Sequence, residues 1–241
     1  MNGKGKALLA VILSVSIALP CFAFFTVNTG KNTVFTSKED DHITVVIDAG
    51  HGGEDGGAVS ASGVHESRLN LEFALRLRDL LTFAGVRSVM IRDRDQSVYT
   101  GECGSMAEKK VSDLKNRVRL VSRVGNPLLI SIHQNYFPES KYRGTQVFYA
   151  ETDGSEELAQ LVQNTIRDAV DLHNHRQIKK AESVYLMEHI ACTGILVECG
   201  FLSNEEEAGL LQMEGYQKKL MTALCGAAVF YLNQGRKPDE I

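Results

Sequence analysis

The sequence predicts one α/β domain: a mostly parallel, mixed sheet of about six strands with helices on both faces. Three observations carry that prediction. Continuous apolar runs of strand length, Ile43–Asp48 and Pro127–Ile132, suit strands buried on both faces. Segments with apolar residues at helical spacing alternate with these runs, the pattern of a parallel sheet. The fourth strand follows the third with no helix between, which predicts at least one antiparallel pair.

Residues 1–25 read as an export signal or an N-terminal membrane anchor. Lys4 and Lys6 start it, an apolar run follows from Ala7 to Leu19, and Pro20 breaks it. Cys21-Phe22-Ala23 is a weak cleavage site, and Ala18-Leu19-Pro20-Cys21 matches a lipoprotein signal poorly. A run extended over residues 7–25 borders on the length of a spanning helix, so cleavage and anchoring both stay open. In either case the lysines remain inside and the rest is exported. Residues 26–42 are a polar linker, 43–235 the folded domain and 236–241 a polar tail.

Within the domain, Ile43–Asp48 is the first strand. A helix is expected over Glu66 to Phe83, with Leu69, Phe73, Leu77 and Leu80 on one face and Gly85 as its stop. Val86–Ile91 is the second strand, Gln96–Val111 a polar loop, and Asp113–Val124 a helix ending at Gly125. Pro127–Ile132 and Thr145–Ala150 are strands three and four. Ser155 is the expected cap of a helix running to about His173, with Glu156 and Glu157 in its first turn. Ser183–Met187 and Gly194–Glu198 are two more strands. Asn204 is expected to cap a helix with Glu207 placed for a capping box, and Tyr216–Leu232 closes the domain.

Composition narrows the function. The 241-residue chain is 44% hydrophobic and 23% charged, which is ordinary for a globular domain. Its net charge is −4 and it has no dense Lys/Arg stripe, which argues against nucleic acid as a partner. Of the cysteines, Cys21 falls in the export segment, and Cys103, Cys192, Cys199 and Cys225 form no Cys-x-x-Cys pair. Cys192 and Cys199 flank a strand, roughly 23 Å apart if extended, too far for a disulfide. A Cys103–Cys225 pairing stays open.

Ligands in open α/β sheets bind at the carboxyl ends of the strands. His51 follows the first strand within Gly50-His51-Gly52-Gly53, His133 and Glu198 end theirs, and Glu66 opens the helix returning from the first. Four polar residues from distant positions therefore converge on one rim, provided the strands run parallel. Two histidines and a carboxylate suit Zn²⁺ with a fourth position open to water. A second carboxylate that does not ligate can then move the proton. His65, next to Glu66, is the rival ligand. His42, His173, His175 and His189 fall elsewhere. Arg92, just past a strand end, is either a substrate or oxyanion contact or a surface salt-bridge residue.

At these residues the sequence resembles the zinc-dependent N-acetylmuramoyl-L-alanine amidases of bacterial cell walls. The motifs are Gly50-His51-Gly52-Gly53, Glu66, Ser131-Ile132-His133-Gln134-Asn135 and Val197-Glu198-Cys199-Gly200-Phe201-Leu202-Ser203-Asn204. The resemblance implies one Zn²⁺ held by His51, Glu66 and His133, Glu198 as the catalytic carboxylate, and peptidoglycan as substrate. Ala49 and Gln134 depart from the family's usual Pro and Ala. A hydrophobic N-terminus joined to a lone catalytic domain is most similar to the short amidases of endospore formers. Those act in spore cortex on the way to muramic-δ-lactam, and some relatives need a helper lipoprotein. Rival readings are a non-catalytic peptidoglycan-binding protein, a zinc peptidase cutting within the stem peptide, and a phosphate-binding turn. The last lacks the Gly-Lys-Ser/Thr ending.

Overall fold

The apolar run Val45-Val46-Ile47 is buried on both sides, and the rest of the sheet is laid out from it. The computed structural model describes residues 42–234. The expected signal or anchor over 1–25, all but the last residue of the 26–42 linker, and the 236–241 tail lie outside the described residues. In chain order the elements are β1 (Thr44–Ala49), α1 (Glu66–Phe83), β2 (Ser88–Met90), α2 (Met106–Ser122), β3 (Pro127–Asn135) and β4 (Gln146–Tyr149). They continue as α3 (Ser155–Val170), β5 (Lys179–Lys180), α4 (Tyr185–His189), β6 (Gly194–Phe201), α5 (Glu205–Leu211) and α6 (Glu214–Gln234).

The strands form one sheet in the order β2-β1-β3-β6-β4-β5. β2, β1, β3 and β6 run parallel. β4 is antiparallel to β6 and parallel to β5. The expected antiparallel pair exists, but β4 finds β6 rather than its sequence neighbour β3. Side-chain alternation divides the core between two faces. Val45, Ile47, Ile130, Ile132, Ile195 and Val197 pack with α1, α3 and α6. Val46, Leu129 and Leu196 pack with α2 and α4. Truncating a side chain as buried as Phe73 (0% exposed) costs about 3–5 kcal/mol.

Several elements differ from expectation, each for a local reason. The predicted loop Gln96–Val111 gives way to α2 at Met106. Ser105 and Glu108 form a reciprocal capping box there, although the first turns expose Met106 and Val111 and show no apolar stripe. Ser183–Met187 is not a strand. Ser183 has φ 61°, and the chain turns into the short helix α4. The sixth strand is instead the exposed pair Lys179–Lys180, an edge too polar to show in an apolar pattern. Gly154, not Ser155, occupies the cap of α3, and that helix stops at Val170, short of His173. The buried Ser155 hydroxyl accepts the Gly194 N–H at 2.9 Å. At α5 half of the expected box forms. Asn204 accepts from the Glu207 N–H at 3.0 Å, while the Glu207 carboxylate takes the Gly144 and Phe201 N–H groups. Cys103, Cys192, Cys199 and Cys225 are free thiols. Among the described residues no helix is long and apolar enough to cross a membrane.

Candidate metal centre and active site

β1 delivers the chain to the rim, and the turn beyond it is shaped by close contact. A Cβ on Gly50 would lie 2.2 Å from the His133 ring, so only glycine fits against that ring. His51 itself has φ 60°, an uncommon conformation outside glycine. Two buried arginines hold that conformation in place. Arg92 donates to the carbonyls of Ala49 (2.7 Å), Gly50 (2.9 Å), Ser67 (2.8 Å) and Arg94 (3.1 Å). Arg117 donates to the carbonyls of Ala49 (3.0 Å) and His51 (2.7 Å) and pairs with Asp48 and Asp113. Asp48 also accepts from the Ser131 hydroxyl at 2.7 Å. Burial works to raise the Asp48 pKa, but the adjacent Arg117 guanidinium holds it below the ordinary carboxylate value.

Arg92 therefore sits elsewhere than expected. It is 1% exposed and faces main-chain carbonyls, which makes it a support of the His51 turn rather than a substrate or surface residue. Arg117 and Asp48 do the same work and were not singled out in the sequence. An aspartate inside an otherwise apolar buried strand was the available signal, because such a charge needs a partner.

His51, Glu66 and His133 come together as expected. One donor atom from each lies within 4.8 Å of the others. The two rings meet edge-on with centroids 5.1 Å apart. His51 Nε2 is 3.2 Å from Glu66 Oε2, and His133 Nδ1 is 2.9 Å from Glu66 Oε1. Asp55 accepts at 2.9 Å from His51 Nδ1, which orients the ring with Nε2 toward Glu66. Glu66 is heavily supported. Its Oε1 also accepts from Asn70 Nδ2 and the Gln134 N–H, both at 3.2 Å, and its Oε2 accepts the Ala58 N–H at 2.9 Å. Asp55 and Asn70 are further residues that the sequence reading missed. Asn70 stands one helical turn after Glu66, where a second polar residue on a buried face was visible.

Burial opposes charge on both Glu66 and His51. For Glu66 the two histidines more than offset it and hold the carboxylate well below its ordinary pKa. For His51 the carboxylates of Asp55 and Glu66 win and lift it to about 9. A pocket negative enough to keep a proton on His51 is one in which a dication can replace that proton. Two imidazole nitrogens and a carboxylate oxygen are also a donor set that zinc accepts. The residues present fit a metal.

Glu198 stands opposite His133 in the β3–β6 register. Both strands run past these residues, to Asn135 and Phe201, rather than ending at them. The Oε2 of Glu198 is out of solvent and has no hydrogen-bond partner among the described residues. Burial pushes the carboxyl up to about 7. His65 caps α1 and does not join the histidine–glutamate group. His42, which precedes β1, and His189, ending α4, also lie outside it, as do His173 and His175, which precede β5. Beside His51 and Asp55 the site opens into a cavity of about 210 Å³ whose walls include Tyr99, Met106 and Lys110.

An α/β sheet bearing a two-histidine, one-carboxylate group and a second, unpaired carboxylate on its carboxyl rim has the makings of a metal-assisted hydrolase. The chain belongs to the N-acetylmuramoyl-L-alanine amidase family, whose model matches residues 45–229. It is 34% identical over 197 residues to a germination-specific N-acetylmuramoyl-L-alanine amidase of Bacillus subtilis, covering 81% of this chain and 82% of that one. Among solved structures it is similar to the CwlD amidase of Clostridioides difficile in complex with the GerS lipoprotein. That match has a TM-score of 0.76 and 37% identity over 79% of this chain and 98% of that one. It is also similar to an N-acetylmuramoyl-L-alanine amidase of Clostridium difficile 630, with a TM-score of 0.71 and 31% identity over 81% and 100%. The fold class, the family and the enzyme class are those expected from the sequence.

Proposed function

We propose that this amidase uses one zinc ion, held by His51, Glu66 and His133, and that Glu198 carries the protons of the reaction. The observation that carries the assignment is the contrast between the two glutamates at His133. Glu66 is held by both histidines, Asn70 and two backbone N–H groups, while Glu198 Oε2 has no partner among the described residues. When bound, zinc supplies a Lewis acid that polarises the lactyl carbonyl and makes water acidic near neutral pH. Asp55 keeps the His51 ring turned toward the site, and the buried arginines keep its backbone there. Glu198 accepts the proton of the attacking water and passes one to the departing L-alanine nitrogen. The products are a lactyl carboxylate on muramic acid and a peptide with a free amino terminus.

The setting proposed is spore cortex, where the cut is a step toward muramic-δ-lactam. It is supported by the germination-specific relative and by the similarity to CwlD. We also propose export to the cell wall or forespore intermembrane space through residues 1–25, with anchoring through 7–25 if they are not cleaved. A helper lipoprotein is proposed as a partner, because the similar CwlD structure holds one.

The test is to incubate zinc-loaded protein with purified peptidoglycan and identify products by mass spectrometry. Free peptides beginning at L-alanine, abolished by chelator, are expected. Cuts confined to the interior of the stem peptide would make it a zinc peptidase instead. Binding with no cut, by folded and metal-loaded protein supplied with its lipoprotein, would make it a peptidoglycan-binding protein.

A further inference from the structure

Across the sheet from the His51 turn, the same rim carries a cationic cleft that amide hydrolysis leaves unused. Residues 136–145 leave the carboxyl end of β3 and enter β4, and residues 171–178 lead into β5. β4 is antiparallel to β6, so its first residues lie beside Glu198. β5 is parallel to β4, so the residues leading into it reach the same rim. The cleft between these segments has a volume of about 350 Å³, and its walls include Lys141, Arg143, His173, His175 and Arg176. Among the described residues lining it Asp171 is the acidic one, and its carboxylate accepts the His173 N–H at 3.0 Å.

The cations are only partly offset locally: the buried Glu207 carboxylate, which accepts the Gly144 N–H at 2.8 Å, acts on Arg143 and Arg176 from behind the cleft wall. Arg143 meets Glu206 only at 3.4 Å, with both side chains more than half exposed (51% and 72%). Such a pair contributes little. Lys141 lies over the Tyr142 ring, 5.2 Å from its centroid, and has no carboxylate partner among the described residues. Arg176 is the fixed member. Its Nε donates to the Arg143 carbonyl at 2.7 Å, its Nη1 to Gln146 Oε1 at 2.9 Å, and its guanidinium rests 4.3 Å from the Phe201 centroid. Gln146 is the register partner of Glu198 across β4–β6, which puts the two side chains on one face, about 5 Å apart at Cβ. Gln146 therefore stands beside the proposed proton carrier in the sheet and accepts from the fixed wall of the cleft.

We propose that this cleft is a subsite for a carboxylate of the peptidoglycan substrate, with Arg143 and Lys141 as its binding groups and Arg176 as its rigid wall. The inference rests on the amidase reading above and extends it to substrate selection. A guanidinium fork matches a carboxylate in shape and charge. The stem peptide offers that chemistry at its terminal carboxylate, and each cut leaves a lactyl carboxylate on the glycan. The second source would let a finished cut favour the next one along the same strand.

The test uses full-length, zinc-loaded protein and short muramyl-peptide substrates. One ends in a free carboxylate, one in a carboxamide, and a pair of carboxamide-ended glycans has its neighbouring muramic acid either bare or amide-linked. Wild-type kcat/KM is expected to be about tenfold higher for whichever carboxylate is recognised, mainly through KM. Tenfold corresponds to about 1.4 kcal/mol. The double variant Lys141→Gln, Arg143→Gln should erase that ratio, Arg143→Lys should keep part of it, and Lys115→Gln, exposed on α2, should leave it intact. Calorimetric binding of the same compounds to the Glu198→Gln protein reads the subsite without turnover. Carboxylate-dependent binding by wild-type protein that cuts nothing would strike the amidase reading and spare the subsite. Equal kcat/KM for all substrates, or an equal loss for all in the double variant, would overturn the subsite. So would a double variant that changes only capture of an acidic protein.

Discussion

Glu66 and Glu198 both stand beside His133, and their surroundings differ in nearly every respect. Glu66 opens a helix, accepts hydrogen bonds from Asn70 and two backbone N–H groups, and lies against two imidazoles that hold it ionised. Glu198 projects from a strand, keeps one oxygen dry and unpartnered among the described residues, and has its pKa raised by burial. Two side chains of the same type are thus prepared for different work. A carboxylate fixed in its charged form suits holding a cation, and one near the point of protonation suits moving protons. The difference is made by neighbours, not by the glutamates themselves.

The largest expected effect breaks the comparison at Glu198. Glu198→Gln should lower turnover about a thousandfold, within the range of positioned acid–base groups, while thermal unfolding stays close to wild type. Release of peptides from peptidoglycan measures the first and calorimetry the second. The next effect comes from the frame under the metal side. Asp48→Asn leaves Arg117 buried without its main partner and should cost about 3–5 kcal/mol, read as a lower denaturant midpoint. The same pair predicts an acid limb. Because the folded Asp48 pKa lies below its ordinary 3.8, its contribution is fully present above that value. It is lost as pH falls through the depressed folded value. The stability gap between wild type and Asp48→Asn should therefore be flat near neutral pH and close only below about pH 4. A gap that changes between pH 6 and 8 would contradict the pair as its source. The smallest effect sharpens the comparison. Asn70→Ala removes one of the supports of Glu66 and should weaken zinc affinity about tenfold in chelator competition. Turnover at saturating zinc should stay near wild type.

Much of this site was legible in the sequence because parallel strands carry residues from distant positions to one rim. His51, His133 and Glu198 needed only strand assignments to converge, and Glu66 needed only the helix start. The support beneath them was less visible. Arg92 looked like a residue facing solvent, since nothing in a sequence pattern shows an arginine folding back onto carbonyls of its neighbouring turn. Asp48 did carry a signal, a charge in a buried strand, but its partner Arg117 lies on a helix 69 residues away. The edge of the sheet is not legible in the sequence, because Lys179–Lys180 pairs through its backbone with no apolar side chain to mark it. The same silence hides His173 and His175 from the rim, since the sequence pattern puts them at a helix end.

The most direct test of the contrast between the glutamates is zinc content and turnover measured together on Glu198→Gln and Glu66→Gln, each purified as a folded protein. A crossed result is expected. Glu198→Gln keeps about one equivalent of zinc and loses turnover, while Glu66→Gln loses zinc at the same free concentration. Full zinc in Glu66→Gln together with loss of zinc from Glu198→Gln would reverse the two roles and contradict the account.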